Sequence, residues 1–348
     1  MFEKCNPSHP DKIADRISGA VVDLGYAKCK NRWSNESSAK LDLSTAEGRQ
    51  RWAQANPKVA VEVLLGHGKA TVMIESSEDF REVEIEPIVR RLAGDVTLDL
   101  HAVRQDALLA GNQEGAVRCG DNGIFRGCAP TYEQKVLTAM AASIYERWPY
   151  DGKYIIWSKP ACPEIDTFAW KLLYGKTVPM QYYYTICQSN AREEDVLDLM
   201  MEFEEKNHLA TENNGCDLPI LIPNTINPLG EWTGGPDVDC GATNRKLGSD
   251  MGDGVTGGGL HGKDLSKGDV SINIVCFLKA VQSGQTVTAC CSIGDEQVTF
   301  AYAGGKTETE TFRDVVEMAR LYILTVGGFE KFSEWGLLRP RTQVKSEE

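Results

Sequence analysis

The sequence has no apolar run long enough to cross a membrane and no excess of positive charge. No window approaches the ~18 uninterrupted apolar residues of a transmembrane helix, so we expect no membrane partner. The 50 Asp and Glu residues outnumber the 37 Lys and Arg residues, which gives a formal net charge of −13 at pH 7. Non-specific binding to nucleic acid or to an acidic membrane requires a positive surface. The composition therefore argues against both as the main role of this protein.

Cysteine pairs with C-x-x-C spacing are also missing, although the chain has 11 cysteines. The odd count, together with an N-terminus that does not resemble a signal peptide, predicts a reduced, cytoplasmic protein. Cys290 and Cys291 lie in an apolar, strand-like stretch, and we expect both thiols in the core.

The chain is long enough for two or three domains, with 348 residues of which 42% are hydrophobic. Each third mixes strands with one or two helices, which is typical of an α+β protein. We predict three similar α/β units in a pseudo-threefold arrangement, with mixed sheets covered by helices. Their expected boundaries are 1–110 with an inserted polar segment at 27–57, then 111–230, and then 231–348 with a Gly-rich phosphate-binding loop.

Local patterns predict the individual elements. After Ser8, the residues Ile13, Ile17 and Val21 recur at helical spacing and indicate a helix. The stretch Val270 to Phe277 fits either a strand or the start of a buried helix. Elsewhere we predict helices at about 83–93, 133–147, 190–206 and 309–325, strands at 153–157 and 179–187, and hairpins that join 58–65 to 69–75 and 286–293 to 297–303.

Glycine is concentrated in one region, because twelve of the 33 glycines fall between Gly230 and Gly268. The stretch Gly257 to Asp264 nearly matches a P-loop, but Asp264 stands where a P-loop needs Ser or Thr, so the strict motif fails. A flexible glycine run can still surround a polyanion when cations flank it. The flanking cations are Arg245, Lys246, Lys263 and Lys267. For this stretch alone, a solvated charged loop is the alternative.

Carboxylates accompany these cations. Asp239 precedes Arg245 by six residues, Asp269 follows Lys267 by two, and Asp11 lies beside His9 near the N-terminus. Mg²⁺ usually takes one or two protein carboxylates and completes its shell with phosphate oxygens. Each aspartate alone is more often a helix cap or a surface residue, but together they outline a site for a Mg²⁺-nucleotide complex.

Several motifs, in order along the chain, resemble S-adenosylmethionine synthetase, also called methionine adenosyltransferase. Any one of them is weak, but their order and spacing over residues 9 to 269 make chance agreement improbable. The motifs are His9-Pro10-Asp11-Lys12-Ile13-Ala14-Asp15, Gly120-Asp121-Asn122-Gly123, Asp151-Gly152-Lys153, Asn227-Pro228-Leu229-Gly230, Gly234-Gly235-Pro236, Asp239-Cys240-Gly241, Arg245-Lys246, Gly257-Gly258-Gly259, Gly262-Lys263-Asp264 and Lys267-Gly268-Asp269.

The resemblance implies a reaction between ATP and L-methionine. The methionine sulfur attacks C5′ of ATP and expels triphosphate, which is then hydrolysed to pyrophosphate and phosphate. A thioether sulfur needs no general base, so the difficulty lies in stabilising the departing triphosphate with preplaced cations and metal. The resemblance further implies two Mg²⁺ per site, K⁺, and a homodimer with shared active sites, which in turn pairs into a tetramer in many members.

The resemblance also implies roles for individual residues. His9 would contact the oxygen that bridges C5′ and the α-phosphate. The catalytic residues would be His9, Arg245, Lys263 and Lys267. The ATP-binding residues would be His9, Asp151, Lys153, Trp232, Asp239, Arg245, Lys246, Gly259 and Lys263. The methionine-binding residues would be Glu75, Gln105, Asp121, Asp239 and Lys267, and the metal ligands would be Asp11 and Asp269 for Mg²⁺ and Glu62 for K⁺.

Two of these residues have an alternative interpretation. Glu62 stands among valines, where an unpaired charge would be costly, and a bound K⁺ would remove that cost. The alternative is an outward residue on a half-exposed strand. Trp232 stands where the family places an aromatic ring on adenine, and its alternative is a core tryptophan.

The sequence also departs from the family pattern. Ser8 replaces a glycine, Asn122 a glutamine and Glu231 an arginine, and Asp106-Ala107-Leu108 follow Gln105 where the family has a different gating loop. Two other functions therefore stay open. One is a degenerate nucleotide-binding or regulatory subunit of a synthetase, and the other is a relative that only hydrolyses triphosphate.

Overall fold

The computed structural model describes residues 1–36, 45, 59–104, 123–160, 180–206, 221–251, 269–291 and 296–340. The helices are α1 Pro10–Glu36, α2 Glu82–Ala93, α3 Tyr132–Arg147, α4 Glu193–Lys206, α5 Leu247–Met251, α6 Asp269–Ser283, α7 Phe312–Thr325 and α8 Phe329–Trp335. The strands are β1 Phe2–Cys5, β2 Val59–Gly66, β3 Lys69–Ser76, β4 Thr97–Arg104, β5 Gly123–Gly127, β6 Gly152–Pro160, β7 Met180–Gln188, β8 Leu221–Ile226, β9 Gly241–Ala242, β10 Val287–Cys291, β11 Gln297–Tyr302 and β12 Thr307–Thr311.

The described strands form three four-stranded sheets. Sheet 1 has the order β1-β6-β7-β8, sheet 2 the order β4-β3-β2-β9 and sheet 3 the order β12-β11-β10-β5. Sheets 1 and 2 are mixed, because β7 runs parallel to β8 and β3 parallel to β4 while their other pairs are antiparallel. Helix α3 packs on sheet 1, α1 on sheet 2 and α6 on sheet 3. The predicted α+β class with mixed sheets and helices is thus confirmed.

The chain divides into two compact units, each made of segments that are distant in sequence. Unit 1 combines residues 1–9 with 131–234 and the residues from 339 onward, and unit 2 combines 10–130 with 235–338. Sheet 1 belongs to unit 1, and sheets 2 and 3 belong to unit 2. The predicted boundaries after 110 and after 230, and the pseudo-threefold arrangement, stay predictions.

The hairpin of β2 and β3 forms the base of sheet 2 and is confirmed. Its two-residue turn is His67-Gly68, and both residues have positive φ, at 44° and 79°, which suits the right-handed twist of the two strands. Side chains alternate across the pleat. Val61, Val63, Val72 and Ile74 are therefore all buried on the face toward α1, whose Ile13, Ile17 and Val21 are also buried.

Some elements differ from the sequence prediction. Helix α1 continues to Glu36, so the first ten residues of the polar segment 27–57 are helical, and most of the rest of that segment lies outside the described residues. Val270 to Phe277 belongs to helix α6, so the helix is the correct one of the two predicted alternatives. The expectation that Cys290 is a core thiol is wrong, because Ala289 faces the core and strand alternation turns Cys290 to the exposed side. No helix in the described ranges is long and apolar enough to cross a membrane.

Helix α8 is attached to α1 by one carboxylate. Asp23 of α1 accepts hydrogen bonds from the backbone N–H groups of Phe329 and Glu330, each at 2.9 Å, so it satisfies donors that every helix start leaves open. Gly328 precedes them with a φ of 104°, where glycine is favoured. Burial raises the pKa of Asp23 to about 6, although the two N–H groups act in the opposite direction.

This raised pKa predicts a pH-dependent stability. Because the pKa of folded Asp23 exceeds its ordinary value of 3.8, its contribution is fully present below that value and is lost as pH rises through 6. The measured quantity is the difference in unfolding free energy between the wild type and the Asp23→Asn variant. We expect this difference to fall by about 2 kcal/mol from pH 4 to pH 7. Urea unfolding at both pH values measures it.

The matched control for this substitution is Asp95→Asn, since the side chain of Asp95 is 94% exposed. The same difference for Asp95→Asn should stay nearly constant with pH. A difference for Asp23→Asn that does not change between the two pH values contradicts the prediction.

Candidate active site

In unit 2, the segment after Cys240 packs against the first turns of α1. The N–H of Ala242 donates to Asp11 Oδ1 and the N–H of Asn244 donates to Asp15 Oδ1, both at 2.9 Å. A side chain at position 241 would run into the backbone at the start of α1, so Gly241 is required for this close approach. Asn244 has a φ of 66°, a conformation that asparagine tolerates well. The next two residues, both cations, are thereby held beside the helix start.

These cations surround the carboxylate of Asp11, which is only 2% exposed. Arg245 Nη1 lies 3.4 Å from Asp11 Oδ1, and Lys246 Nζ lies 3.5 Å from Asp11 Oδ2. Arg245 is 58% exposed whereas Lys246 is 14% exposed. The positive end of the α1 dipole adds to their potential. A buried carboxylate between a solvent-facing and a recessed cation is suited to hold a phosphate chain together with a divalent metal.

A second charged cluster lies in the core of unit 2. Lys12, Asp15 and Asp250 are each at most 1% exposed. The Lys12 ammonium group forms ion pairs with Asp250 and, at 3.5 Å, with Asp15. Burial raises the pKa of Asp15 to about 7, against the lowering effect of Lys12 and with a further increase from Asp250. The carbonyl of Asp250 accepts the N–H groups of Leu337 and Leu338, so this cluster joins α1, α5 and the segment after α8.

Two predicted carboxylates lie on the outer face of sheet 2. Glu62 is half-buried and accepts a 2.5 Å hydrogen bond from the Thr243 hydroxyl. It points away from the buried Val61 and Val63, so the argument that Glu62 is an unpaired charge among valines is wrong. Glu75 is exposed on the same face, because its strand pairs in register with β2.

Asp239 is exposed and its carboxylate accepts the N–H of the next residue, Cys240, at 2.7 Å. Asp239 N–H in turn donates to the carbonyl of Gly235 at 3.1 Å. The residue therefore ends a turn that leads directly into the segment packed on α1.

In unit 1, two of the predicted nucleotide residues come together. Asp151 is 5% exposed and precedes β6, while Trp232 is half-buried. A side chain at position 234 would lie 2.6 Å from Asp151 Cβ and 2.7 Å from the Trp232 ring. Gly234 therefore lets the loop bring the carboxylate and the indole together. Lys153 of β6 forms a 2.7 Å ion pair with Glu3, and the backbone N–H of His9 donates to the Asn6 carbonyl at 3.1 Å.

Some predicted residues are not tested by this geometry. Asp269 is the first residue of α6. The predicted residues outside the described ranges are Gln105, Asp121, Gly259, Lys263 and Lys267. Sequence reasoning missed the buried Asp250, and it treated Lys12 and Asp15 only as parts of a motif. Helical periodicity gave no signal for Lys12 and Asp15, because at 100° per residue they lie on a different face of α1 from Ile13 and Ile17. All four residues are nevertheless buried.

The described residues contain no group of three or more His, Cys, Asp or Glu side chains that could hold a metal ion. A single buried carboxylate beside cations fits a Mg²⁺ that takes most of its ligands from phosphate and water. The donor set at Asp11 thus agrees with a metal that binds together with a polyphosphate.

The buried cluster leads to a stability prediction. Lys12→Met keeps the length of the side chain but leaves Asp15 and Asp250 buried without their cation, which we expect to cost about 3–5 kcal/mol of unfolding free energy. Arg313→Met is the control, since Arg313 is 81% exposed and should change stability by less than about 0.5 kcal/mol. Equal effects of the two substitutions in urea unfolding would contradict this account.

The chain is similar to known proteins, although no family model matches it. An S-adenosylmethionine synthase of Salinibacter ruber is 27% identical over 327 residues, which cover 88% of this chain and 78% of that protein. An S-adenosylmethionine synthase of Parvibaculum lavamentivorans is 28% identical over 289 residues, which cover 77% of this chain and 68% of that protein.

Among solved structures, an unusual S-adenosylmethionine synthetase from Campylobacter jejuni has a similar fold. The similarity has a TM-score of 0.58 at 18% sequence identity and covers 98% of this chain and 90% of the other. The resemblance to S-adenosylmethionine synthetases that the motifs indicate is therefore confirmed, with relatives that align over most of the chain.

Proposed function

We propose that this protein is an S-adenosylmethionine synthetase that converts ATP, L-methionine and water to S-adenosylmethionine, phosphate and pyrophosphate. The observation that carries the proposal is the placement of Arg245 and Lys246 on either side of the buried Asp11 carboxylate. The synthases that align with this chain support the same reaction. The pseudo-threefold arrangement of three α/β units belongs to this proposal, and the three four-stranded sheets support it.

The reaction forms one bond and breaks one bond at carbon. A lone pair of the methionine sulfur forms the bond to C5′, and the electron pair of the C5′–O bond leaves with the triphosphate. No proton has to be removed from the sulfur, so the protein needs no general base for this step. The main barrier comes from charge that grows on the leaving oxygen, and fixed cations in a water-poor site lower it. Water then cleaves the triphosphate.

The basic residues of the predicted site would stabilise the phosphate end. Lys246 is recessed and would contact the phosphate chain with little loss of side-chain freedom, whereas the exposed Arg245 would close over it with its planar donors. Lys263 and Lys267 follow in the Gly-rich stretch and would extend this set, with the backbone of Gly259 donating to phosphate oxygens. His9 would donate to the leaving oxygen.

Metal ions belong to this proposal. Asp11 and Asp269 would ligate Mg²⁺, two ions per site, which when bound neutralise charge on the triphosphate. Glu62 would bind K⁺, and this assignment now rests on the resemblance alone, because the carboxylate is half-exposed and hydrogen-bonded to Thr243.

The remaining substrate groups would be bound as follows. Trp232 would stack on adenine, and Asp151 with Lys153 would bind the rest of the nucleotide. Asp239 would pair with the methionine ammonium group. Glu75, Gln105, Asp121 and Lys267 would complete the methionine site.

A homodimer with shared sites is part of the proposal, and a tetramer is its larger form. The outer face of sheet 2 offers a surface for a second copy of the chain, since Leu64, Met73 and Val103 are 51%, 41% and 63% exposed there. The strand registers place them on the same face as Glu62 and Glu75. Apolar side chains next to the proposed K⁺ and methionine residues are what a shared site would require.

The test of function is a product assay. Purified protein with ATP, L-methionine, Mg²⁺ and K⁺ should yield S-adenosylmethionine, phosphate and pyrophosphate in equal amounts by mass spectrometry. Phosphate release from tripolyphosphate without any S-adenosylmethionine indicates a triphosphate hydrolase instead. ATP binding without turnover, and a change in activity only on mixing with another synthetase, indicates a regulatory subunit.

The recessed lysine gives a direct prediction for the phosphate end. Lys246→Met should lower turnover by about 100-fold, because it removes a charge that acts on the leaving triphosphate. Lys306→Met is the control, since Lys306 is 66% exposed on the edge of sheet 3, and it should keep wild-type kinetics. Equal steady-state kinetics for Lys246→Met and the wild type would contradict the role of Lys246.

The dimer surface gives a second prediction. Leu64→Arg introduces a charge on this apolar face and should convert the dimer to a monomer without turnover. Light scattering coupled to size-exclusion chromatography measures the mass. A Leu64→Arg protein that stays dimeric excludes this face as the interface.

A further inference from the structure

A buried network of polar side chains lies in the core of unit 1. Asn6 and Gln188 are fully buried, and so is the Tyr154 side chain. Asn6 donates to the Tyr154 hydroxyl at 3.0 Å, and that hydroxyl donates to Gln188 Oε1 at 2.6 Å. Burial raises the pKa of Tyr154, so its hydroxyl stays protonated and remains a donor. Such a network is stable only when its members have their partners.

Asn227 is the member of the network that reaches toward the surface. Its Oδ1 accepts from the backbone N–H of Gln188 at 2.8 Å and from the Trp232 indole N–H at 3.2 Å. Its Nδ2 donates to the carbonyls of Gln188 and Ala191 at 3.0 and 2.9 Å. Two acceptor positions and two donors are all that a carboxamide has. The side chain is thus fully used and has no freedom to rotate.

Three further contacts connect this region to predicted nucleotide residues. The N–H of Asn190 donates to the Trp232 carbonyl at 3.0 Å, and the Ser189 side chain donates to the Asp151 carbonyl at 2.9 Å. Asn6 accepts the backbone N–H of His9 at 3.1 Å. The half-buried Trp232 has one indole N–H, and its hydrogen bond to Asn227 Oδ1 fixes the direction in which that N–H points. The plane of the ring is therefore set from the core.

We propose that Asn227 is a positioning residue for the nucleotide base: its carboxamide fixes the Trp232 indole in the orientation on which a purine stacks. The inference rests on the proposed function only in taking ATP as the ligand. Asn227 itself lies at the N–H edge of the ring and acts through Trp232. A flat ring that is already oriented loses little freedom on binding, and this gain in affinity disappears when the ring can rotate.

The experiment is a double-mutant cycle read by calorimetry of ligand binding. Asn227→Gly removes the carboxamide and still allows the φ of 41° at this position. Trp232→Phe keeps an aromatic ring but has no N–H to bond. Mg²⁺-ATP and Mg²⁺-tripolyphosphate are the two probes, because only the first carries a base. Leu229→Ala is the matched control, since Leu229 is fully exposed in the same loop.

Asn227→Gly should raise the Kd for ATP about tenfold in the wild-type background and less than about twofold in the Trp232→Phe background. The Kd for tripolyphosphate should not change. An equal increase of the Kd for ATP in both backgrounds, or an equal loss of affinity for both probes, shows a merely structural role and overturns the inference. A wild-type protein that does not bind ATP also overturns it.

A wild-type protein that binds ATP but forms no S-adenosylmethionine refutes the proposed function. The double-mutant cycle still decides the role of Asn227 in that case.

A second variant covers the case in which Asn227→Gly lacks a cooperative thermal transition. Asn227→Asp has the same shape and keeps an acceptor oxygen for the indole N–H, but its second oxygen faces the carbonyls of Gln188 and Ala191. We therefore expect a lower unfolding temperature than that of the wild type. The folded variant should still bind ATP within about threefold of the wild type. An Asn227→Asp protein that folds and loses ATP binding altogether overturns the inference.

Discussion

The candidate active site of unit 2 depends on the ion pairs that the buried ammonium group of Lys12 forms. This group faces two carboxylates, from the same helix and from α5, in a core where an uncompensated charge is very costly. Because Asp250 also accepts two backbone N–H groups from the segment after α8, one ion pair determines where three parts of the chain meet. Along the chain, Arg245 and Lys246 lie between Asn244, which is bonded to Asp15, and Asp250, which is paired with Lys12. Their cationic groups therefore face Asp11 without a ligand.

The two units fix their polar side chains with different kinds of contact. Unit 2 holds its cations by buried charge, with backbone N–H groups of the segment after Cys240 directed at Asp11 and Asp15. Unit 1 uses neutral groups instead, since its network consists of amides, a tyrosine hydroxyl and backbone atoms. A charged phosphate needs fixed charge, whereas an uncharged base needs a fixed plane. Each unit therefore fixes its own polar side chains with contacts made inside that unit.

The sequence predicted most elements, because their signals are local. The hairpin of β2 and β3 followed from apolar strands around His67-Gly68, and α3 and α4 followed from caps and periodicity. The wrong expectation for Cys290 arose because neighbouring positions of a strand face opposite sides, and composition does not tell which side a given residue faces. Motif order pointed to Asp11, Arg245 and Lys246, but not to Asp250, whose partner Lys12 is 238 residues away. Asn227 was visible only as part of a motif, since its four side-chain hydrogen bonds join it to Gln188, Ala191 and Trp232, which only the fold brings together.

The central claim is that a sulfur nucleophile displaces an intact triphosphate from C5′. The most direct measurement is the reaction of ATP and methionine in water labelled with ¹⁸O, followed by mass spectrometry of every product. The account predicts S-adenosylmethionine without ¹⁸O, and one ¹⁸O atom per turnover in phosphate plus pyrophosphate, because water enters only when triphosphate is cleaved. ADP or AMP as the adenine-containing product would contradict it.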